Sequence, residues 1–346
     1  MFSNSILNWF DSFERDLPWR QTSDPYLIWV SEVILQQTRV AQGYDYYLKF
    51  IDRFPTVEAL AQATEDEVLK YWQGLGYYSR ARNLHTAAKS IQGEFPRKYK
   101  DVLALKGVGE YTAAAICSFA YGDPCAVVDG NVYRVLSRYF GVASPIDTAA
   151  GKREFAALAQ ELLNKKNPGR YNQAIMDFGA IQCKPKGADC TVCPLNESCI
   201  AYSEQNLEFY PVKKGVVKSR NRFFHYFFID QGEFTYIRKR TKKDIWKNLY
   251  EFPLLETEQE CTLEQLLQLK SNSELLKALK NPEFKLLKEG YKHILSHQNL
   301  YTNFYSLTVH EDFELSSSYL KIRKSDLSEY AIPRLIELLI EKYPHY

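Results

Sequence analysis

From residue 3 to about residue 202, apolar side chains recur at intervals of three and four, in segments such as "SNSILNWFDSFERD", "DPYLIWVSEVILQQTRVAQGYDYYLKFIDRF", "TEDEVLKYWQGL", "KDVLALKGVGEYTAAAICSFAYG", "VDGNVYRVLSRYFG" and "NPGRYNQAIMDFGAIQC". That period places the apolar residues along one stripe of a helix. Each run breaks at Pro, Gly or an Asn/Asp cluster, which are helix stop and start signals. This half of the chain is predicted to be all α. Beyond about residue 222 the texture changes. "RFFHYFFID", "FTYIRKR" and "NLYTNFYSLTV" are short, aromatic and alternating, as strands are, while "TLEQLLQLKSNSELLKALK" and "IPRLIELLIEKY" read as helices. The pattern predicts a multidomain α and α+β chain, with an all-α domain over 1–202, a linker over 203–222 and an α+β domain over 223–346. A length of 346 residues agrees with two cores.

Composition adds little. Hydrophobic residues make up 45% and charged residues 25%, and no apolar run is long enough to cross a bilayer, so no membrane partner is expected. The opening "MFSNSILNWFDSFERDLPWR" lacks the basic, apolar and small-residue sections of an export signal. A reducing, cytoplasmic location is therefore expected, where an odd cysteine count with a tight cluster argues for metal ligation over disulfides. The formal net charge of +2 names no partner. The basic runs "KKGVVKSRNR" at 213–222 and "RKRTKK" at 238–243 read as solvated surface or as phosphate contacts.

Four stretches carry candidate chemistry. In "LKGVGEYTAAAI", Gly107 and Gly109 permit a sharp turn into a helix whose first amides face outward, a phosphate seat or an ordinary packing turn. Asp129, in "VDGNVYRVLSRYFG", reads as an N-cap, where amides and the helix dipole should favour the carboxylate. Glu32 lies among Trp29, Val30, Val33 and Ile34, and is either structurally paired or held dry with a raised pKa, as a general acid is. Cys183, Cys190, Cys193 and Cys199 have the spacing C-x6-C-x2-C-x5-C, which differs from the paired knuckles common in structural zinc sites. Cys117, Cys125 and Cys261 are scattered and read as buried small hydrophobes.

Taken together, these strings resemble the helix-hairpin-helix DNA glycosylases, a superfamily that includes endonuclease III. "SEVILQQTRV", "QGLGYYSRARNLHTAA" and "KDIWKNLYEFPLLE" point within it to the adenine-specific mismatch glycosylases of the MutY type. The resemblance runs from about residue 5 to residue 340. It implies a helix-hairpin-helix glycosylase domain with an iron–sulfur loop, followed by a Nudix-like domain. It also implies hydrolytic removal of adenine mispaired with 8-oxoguanine or guanine in double-stranded DNA, by a monomer acting on the nucleoid of a bacterial-type cell. Glu32 would be the acid and Asp129 the carboxylate facing the extruded nucleotide, with Tyr111 and Asn131 orienting them. Tyr111 stands where strand-cleaving members carry a Schiff-base lysine, which implies little or no lyase activity. The four cysteines would hold a 4Fe-4S cluster. The loop it folds would present Lys184 and Lys186 to phosphate, as would Lys106, which replaces the family's usual Pro beside Gly107 and Gly109. Gln37 and Tyr77 would occupy or brace the vacated base step, while Trp19, Arg20 and Gln173 would line the base pocket. In the second half, Ser296 and His297 match the family's 8-oxoguanine loop, and Leu295 stands where a Phe is usual. The chain has no Glu-rich Nudix helix for magnesium.

Three rivals make different demands. A pyrimidine glycosylase/lyase wants Lys at position 111, a Nudix hydrolase needs its metal helix, and a zinc-bearing DNA-binding module needs neither Glu32 nor Asp129.

Overall fold

The computed structural model describes residues 2–215, 219–268, 274–279, 283–310 and 312–343. The chain divides into two compact units, residues 1–62 with 83–216, and residues 63–82 with 217–346. The second unit thus includes a stretch of the helical half that lies far from it in sequence. Asp66 binds Lys239 and the Tyr250 hydroxyl, and Gln73 bonds Glu337 and the Ile332 amide.

In the first unit the helices are α1 (Phe2–Phe13), α2 (Pro25–Leu35), α3 (Val40–Arg53) and α4 (Val57–Gln62). α5 (Glu65–Tyr71) and the start of α6 (Ser79–Ser90) belong to the second unit. The first unit continues with α7 (Tyr99–Leu103), α8 (Glu110–Ala120), α9 (Gly130–Phe140), α10 (Ala149–Leu162), α11 (Pro168–Asp177) and α12 (Ile200–Ser203). α2 starts sharply because Pro25 fits the first helical position and the Asp24 side chain accepts from the Tyr26 and Leu27 amides. Residues 28–34 of α2 are all buried, so Glu32 enters the interior with its helix. The hairpin between α7 and α8 turns at Gly107, φ +81°, where an added Cβ would meet Asn83 Cβ at 2.6 Å. Only glycine fits there. α9 stops at Gly141, which is left-handed at φ +66°. The core packs Ile6 and Phe10 of α1 with Val132 and Leu136 of α9 and with Ala174 and Ile175 of α11.

In the second unit the sheet order is β4-β1-β6-β5, with β1 (Arg220–Asp230), β4 (Leu254–Thr257), β5 (Glu283–Ile294) and β6 (Gln298–Thr308). β1 runs parallel to β6, and the other pairs are antiparallel. A second sheet has the order β3-β2-β7, built from β2 (Phe234–Lys239), β3 (Tyr250–Glu251) and β7 (Leu320–Arg323). Alternation along β1 sorts its side chains. Phe224, Tyr226 and Phe228 pack with Leu335, Ile336 and Leu339 of α15 (Arg334–Lys342), whereas Phe227 and Ile229 pack with Leu266 of α13 (Leu263–Gln268) and Leu275 and Leu276 of α14 (Glu274–Ala278). The predicted helix over "TLEQLLQLKSNSELLKALK" is thus represented by α13 and α14, and residues 269–273 lie outside the described ones.

Several charges in the basic runs turn inward. Arg222 is 7% exposed and binds Asp244 and Glu256, and Arg240 binds Asp244 and Glu251. Arg238 pairs with Glu251, and Lys239 with Asp66. These four cations serve the second unit's own ion pairs. Cys117 is buried as expected, while Cys125 and Cys261 are only half-buried.

Candidate functional site

A cleft of about 360 Å³ in the first unit collects Glu32 from α2, Tyr111 from α8, Asp129 and Asn131 from the start of α9, and Trp19, Arg20 and Gln173. Seven positions separated by up to 154 residues therefore meet in one place, as the sequence reading expects. Glu32 is 7% exposed, and its Oε2 accepts a 2.7 Å hydrogen bond from the Tyr111 hydroxyl. Burial raises the Glu32 pKa to about 7, and the nearby Asp129 charge adds to this; the Tyr111 bond and Arg20 oppose it. Glu32 therefore holds its proton to a much higher pH than an ordinary carboxyl does. Burial, with Glu32 and Asp129 close by, holds the Tyr111 phenol well above its ordinary value, so it stays a donor. Its hydroxyl also lies 3.3 Å from Met176 Sδ.

Asp129 is the N-cap of α9. Its Oδ1 accepts from the Asn131 and Val132 amides at 2.9 and 2.8 Å, and Oδ2 accepts from Asn131 Nδ2 at 2.8 Å. The expected lowering of its pKa is not the outcome. Burial raises it, outweighing the Val132 and Asn131 bonds and the Arg134 charge, because the cleft removes water from the cap. The two carboxyls still differ in kind. Three donors hold the charged form of Asp129, against one for Glu32, so the geometry favours deprotonating Asp129 first.

Arg20 lines the cleft with its charge already engaged. Its Nη1 and Nη2 donate to Asp177 at 2.8 Å each, and Arg15 donates to the same carboxylate. Asp177 is fully buried; burial alone would raise its pKa, but the bonds from Arg20 and Arg15 bring it below the ordinary value. Sequence reasoning missed this clamp, although an Asp inside "AIMDFGAI" was its signal. Trp19 is held by an edge contact with Tyr47 at 5.1 Å.

The four cysteines line one small cavity. Their loop is fastened by two arginines of α9 that the sequence reading also missed. Arg134 donates to the Cys183 carbonyl at 2.8 Å, the Gly179 carbonyl at 2.6 Å and Asn131 Oδ1 at 2.9 Å. Arg138 donates to the Lys184 and Pro185 carbonyls at 2.7 and 3.2 Å, and approaches Cys183 Sγ at 3.5 Å. The spacing of four in "NVYRVLSRYF" puts both on one helix face. One helix thus carries the cap carboxylate at its start and the anchors of the cysteine loop along its side. Gly179 makes this approach possible, since a Cβ there would lie 2.7 Å from Asn131 Cβ. Lys184 and Lys186 are exposed on the loop, as are Gln37, Lys106, Gly107 and Gly109 on their turns. α8 begins at Gly109 without a side-chain cap.

In the second unit, Tyr77, Ser296 and His297 line a separate cavity of about 540 Å³. Ser296 and His297 form the tip between β5 and β6, closed by the Leu295 amide on the Gln298 carbonyl at 2.8 Å. Leu295 is half-buried and packs toward the core of the unit.

Both halves of the chain match known families. Residues 30–165 match the HhH-GPD superfamily of base excision DNA repair proteins, and residues 225–342 match the NUDIX domain. The adenine DNA glycosylase of Buchnera aphidicola subsp. Schizaphis graminum is 38% identical over 274 residues, which cover 74% of this chain and 76% of that protein. The chain belongs to the adenine DNA glycosylases. The human adenine DNA glycosylase is 41% identical over 213 residues, covering 58% of this chain and 39% of its own. Among solved structures, a thermostable thymine-DNA glycosylase aligns with a TM-score of 0.55 and 33% identity over 59% of this chain and 95% of that one. As an adenine DNA glycosylase the chain is a DNA N-glycosylase of base excision repair, acting on DNA, and its two halves are a helix-hairpin-helix region and a Nudix-like α+β domain.

Proposed function

We propose that this glycosylase removes adenine mispaired with 8-oxoguanine or guanine by hydrolysis, as a monomer and without cutting the strand. The observation that carries the reading is the cleft in which the Tyr111 hydroxyl bonds Glu32 while Asp129 is held by three donors. Adenine must leave the stack to reach it, and a mispaired base leaves at lower cost. Glu32, protonated in part at neutral pH, gives its proton to N7 of adenine and so makes a neutral leaving group. Tyr111 occupies one Glu32 oxygen and orients the acid. Asp129, as the carboxylate, stabilises the positive sugar that remains until water adds. Tyr77 fills the vacated step and Gln37 braces it, and an aromatic stack of about 1–3 kcal/mol offsets much of the cost of flipping. Lys106, Lys184, Lys186 and the open amides of α8 meet phosphates. Ser296 and His297 read the base opposite adenine.

Cys183, Cys190, Cys193 and Cys199 fit a 4Fe-4S cluster. Four thiols line one cavity, the ligand number that such a cluster takes. Bound there, the cluster supplies cross-linking of the loop and no electrons, since hydrolysis of the glycosidic bond is redox-neutral. Protein purified without oxygen is expected to be brown and to hold about four irons per chain; stoichiometric zinc in its place would rule the cluster out.

The reading is tested with end-labelled duplex holding one adenine opposite 8-oxoguanine. The strand should break at that adenine only after hot alkali, and borohydride should trap no adduct, because position 111 offers a phenol and no amine. Strand breakage without alkali, at the rate of base loss, would overturn the monofunctional assignment. An uncleaved strand after alkali would overturn the substrate.

A further inference from the structure

A guanidinium keeps its proton inside a protein, so a buried arginine needs negative charge close by to offset its lost hydration. Arg138 of α9 is 3% exposed. Its nitrogens reach three carbonyls, with Nε on Leu207 at 3.1 Å, Nη1 on Lys184 at 2.7 Å and Nη2 on Pro185 at 3.2 Å, and Nη1 also donates to Cys183 Sγ at 3.5 Å. Carbonyls and the end of α9 supply dipoles and no full charge. Among the described residues no carboxylate pairs with Arg138.

Two nearby acids do not fill that place. Asp189 lines the same cavity as Arg138 and the four cysteines, but it is exposed and accepts from the Thr191 amide and hydroxyl. Asp129 acts on Arg134, one turn earlier on α9, and is held by its own three donors. The negative charge left within reach is that of the cysteines themselves. Four thiolates carry more negative charge than the iron–sulfur core they hold carries positive, so the assembly is an anion. Hydrogen bonds to its sulfurs and the charges around it set its reduction potential.

We propose that Arg138 is the internal counter-charge of the cluster, and that its N–H bond to Cys183 Sγ holds the cluster in its more electron-rich state by raising the potential at which it gives up one electron. The sign follows from charge. Losing an electron makes the anion less negative, so a fixed cation beside it opposes the loss. A redox-neutral hydrolysis has no use for that electron, and a cluster that keeps it keeps its loop folded. The inference rests on the cluster reading given above.

The test is voltammetry of the full-length protein, purified without oxygen, with the electrode as acceptor of the electron. Arg138→Gln removes the charge and should make one-electron oxidation roughly tenfold more favourable, a fall of about 59 mV in potential. Arg138→Lys keeps a charge without the planar fork, and its potential should lie between the two. Both variants also give up carbonyl bonds of the loop, so a second measurement uses the wild type. With isotopically labelled arginine and the cluster oxidised by ferricyanide, electron–nuclear double resonance should show an arginine nitrogen coupled to the cluster. Arg134 should contribute none, because its nitrogens bond oxygens and no sulfur. Absence of that coupling, or an Arg138→Gln protein that holds its iron at the wild-type potential, would overturn the role of Arg138 and leave the cluster standing. Zinc in the wild type would remove the cluster and this inference with it.

Discussion

Glu32→Gln should lower single-turnover excision by on the order of 10²–10⁴, the usual contribution of a general acid, while the protein becomes more stable near neutral pH. Both effects come from one burial. A carboxyl whose pKa rises from 4.5 to about 7 on folding binds its proton more tightly in the folded state. Below 4.5 both states are protonated and nothing is lost. As pH climbs from 4.5 to 7 the unfolded chain sheds the proton and the folded chain keeps it, so the wild type loses stability, by about 3 kcal/mol at pH 7. Gln carries no such penalty and keeps the acceptor for Tyr111. Thermal melts should therefore show Glu32→Gln several degrees higher at pH 7 and level with wild type near pH 4.5. The wild-type excision rate should fall as pH rises through 7, where the acid is lost, and fall again on the acid side as Asp129 is protonated. A variant that excises adenine normally, or melts lower at pH 7 than wild type, would mean that Glu32 is a structural partner of Tyr111 and not an acid. Mispair affinity should survive the change, since the phosphate contacts that dominate it lie elsewhere.

Asp177→Ala should cost about 3–5 kcal/mol, the loss expected when a buried ion pair is broken and its partners are left uncompensated. Asp177 is fully buried and carries Arg15 and Arg20 together. The arginines are not equal. Arg20 is 9% exposed at its side chain and Arg15 32%, so removing Arg20 should destabilise more, because water can replace Arg15 in part. Urea unfolding followed by tryptophan fluorescence measures the order Asp177→Ala, then Arg20→Ala, then Arg15→Ala. An equal, small effect of all three would show that the clamp is a surface pair in energetic terms. Since α11 ends at Asp177 and leads directly into Phe178–Gln182 and the cysteine loop, loss of the clamp should also slow excision by loosening the cleft wall.

Local information in the chain was sufficient for the helical character of the first half, though not for the break between α2 and α3 at 36–39 or for the grouping of 63–82 with the second unit. Apolar spacing of three and four, Asp24 before Pro25, and glycine at 107 and 141 act within a few residues, so they can be read without knowing what lies across the core. The same holds for β1, β2 and β6, short aromatic runs bounded by turns, although β1 and β6 are buried along most of their length and β1 sorts its side chains by parity onto two cores, not onto a buried and an exposed face. It failed for β5. That strand lies at a sheet edge, is exposed along much of its length, and shifts register between Leu286 and Lys288 and again between Lys288 and Tyr291, which erases the period of two. Residue types and spacings also announced the chemistry: a lone glutamate in an apolar helix, an aspartate at a helix mouth, four clustered cysteines. Pairing and solvation were decided only in three dimensions. Nothing near Arg20 says that Asp177 will claim its charge, and "NVYRVLSRYF" does not say which carbonyls Arg134 and Arg138 will hold. The rise of Asp129's pKa has the same origin. The amides that lower it are two and three residues away, whereas the burial that raises it comes from side chains of α2, α8 and α11, and desolvation depends on everything packed around a group and not on its neighbours in the chain.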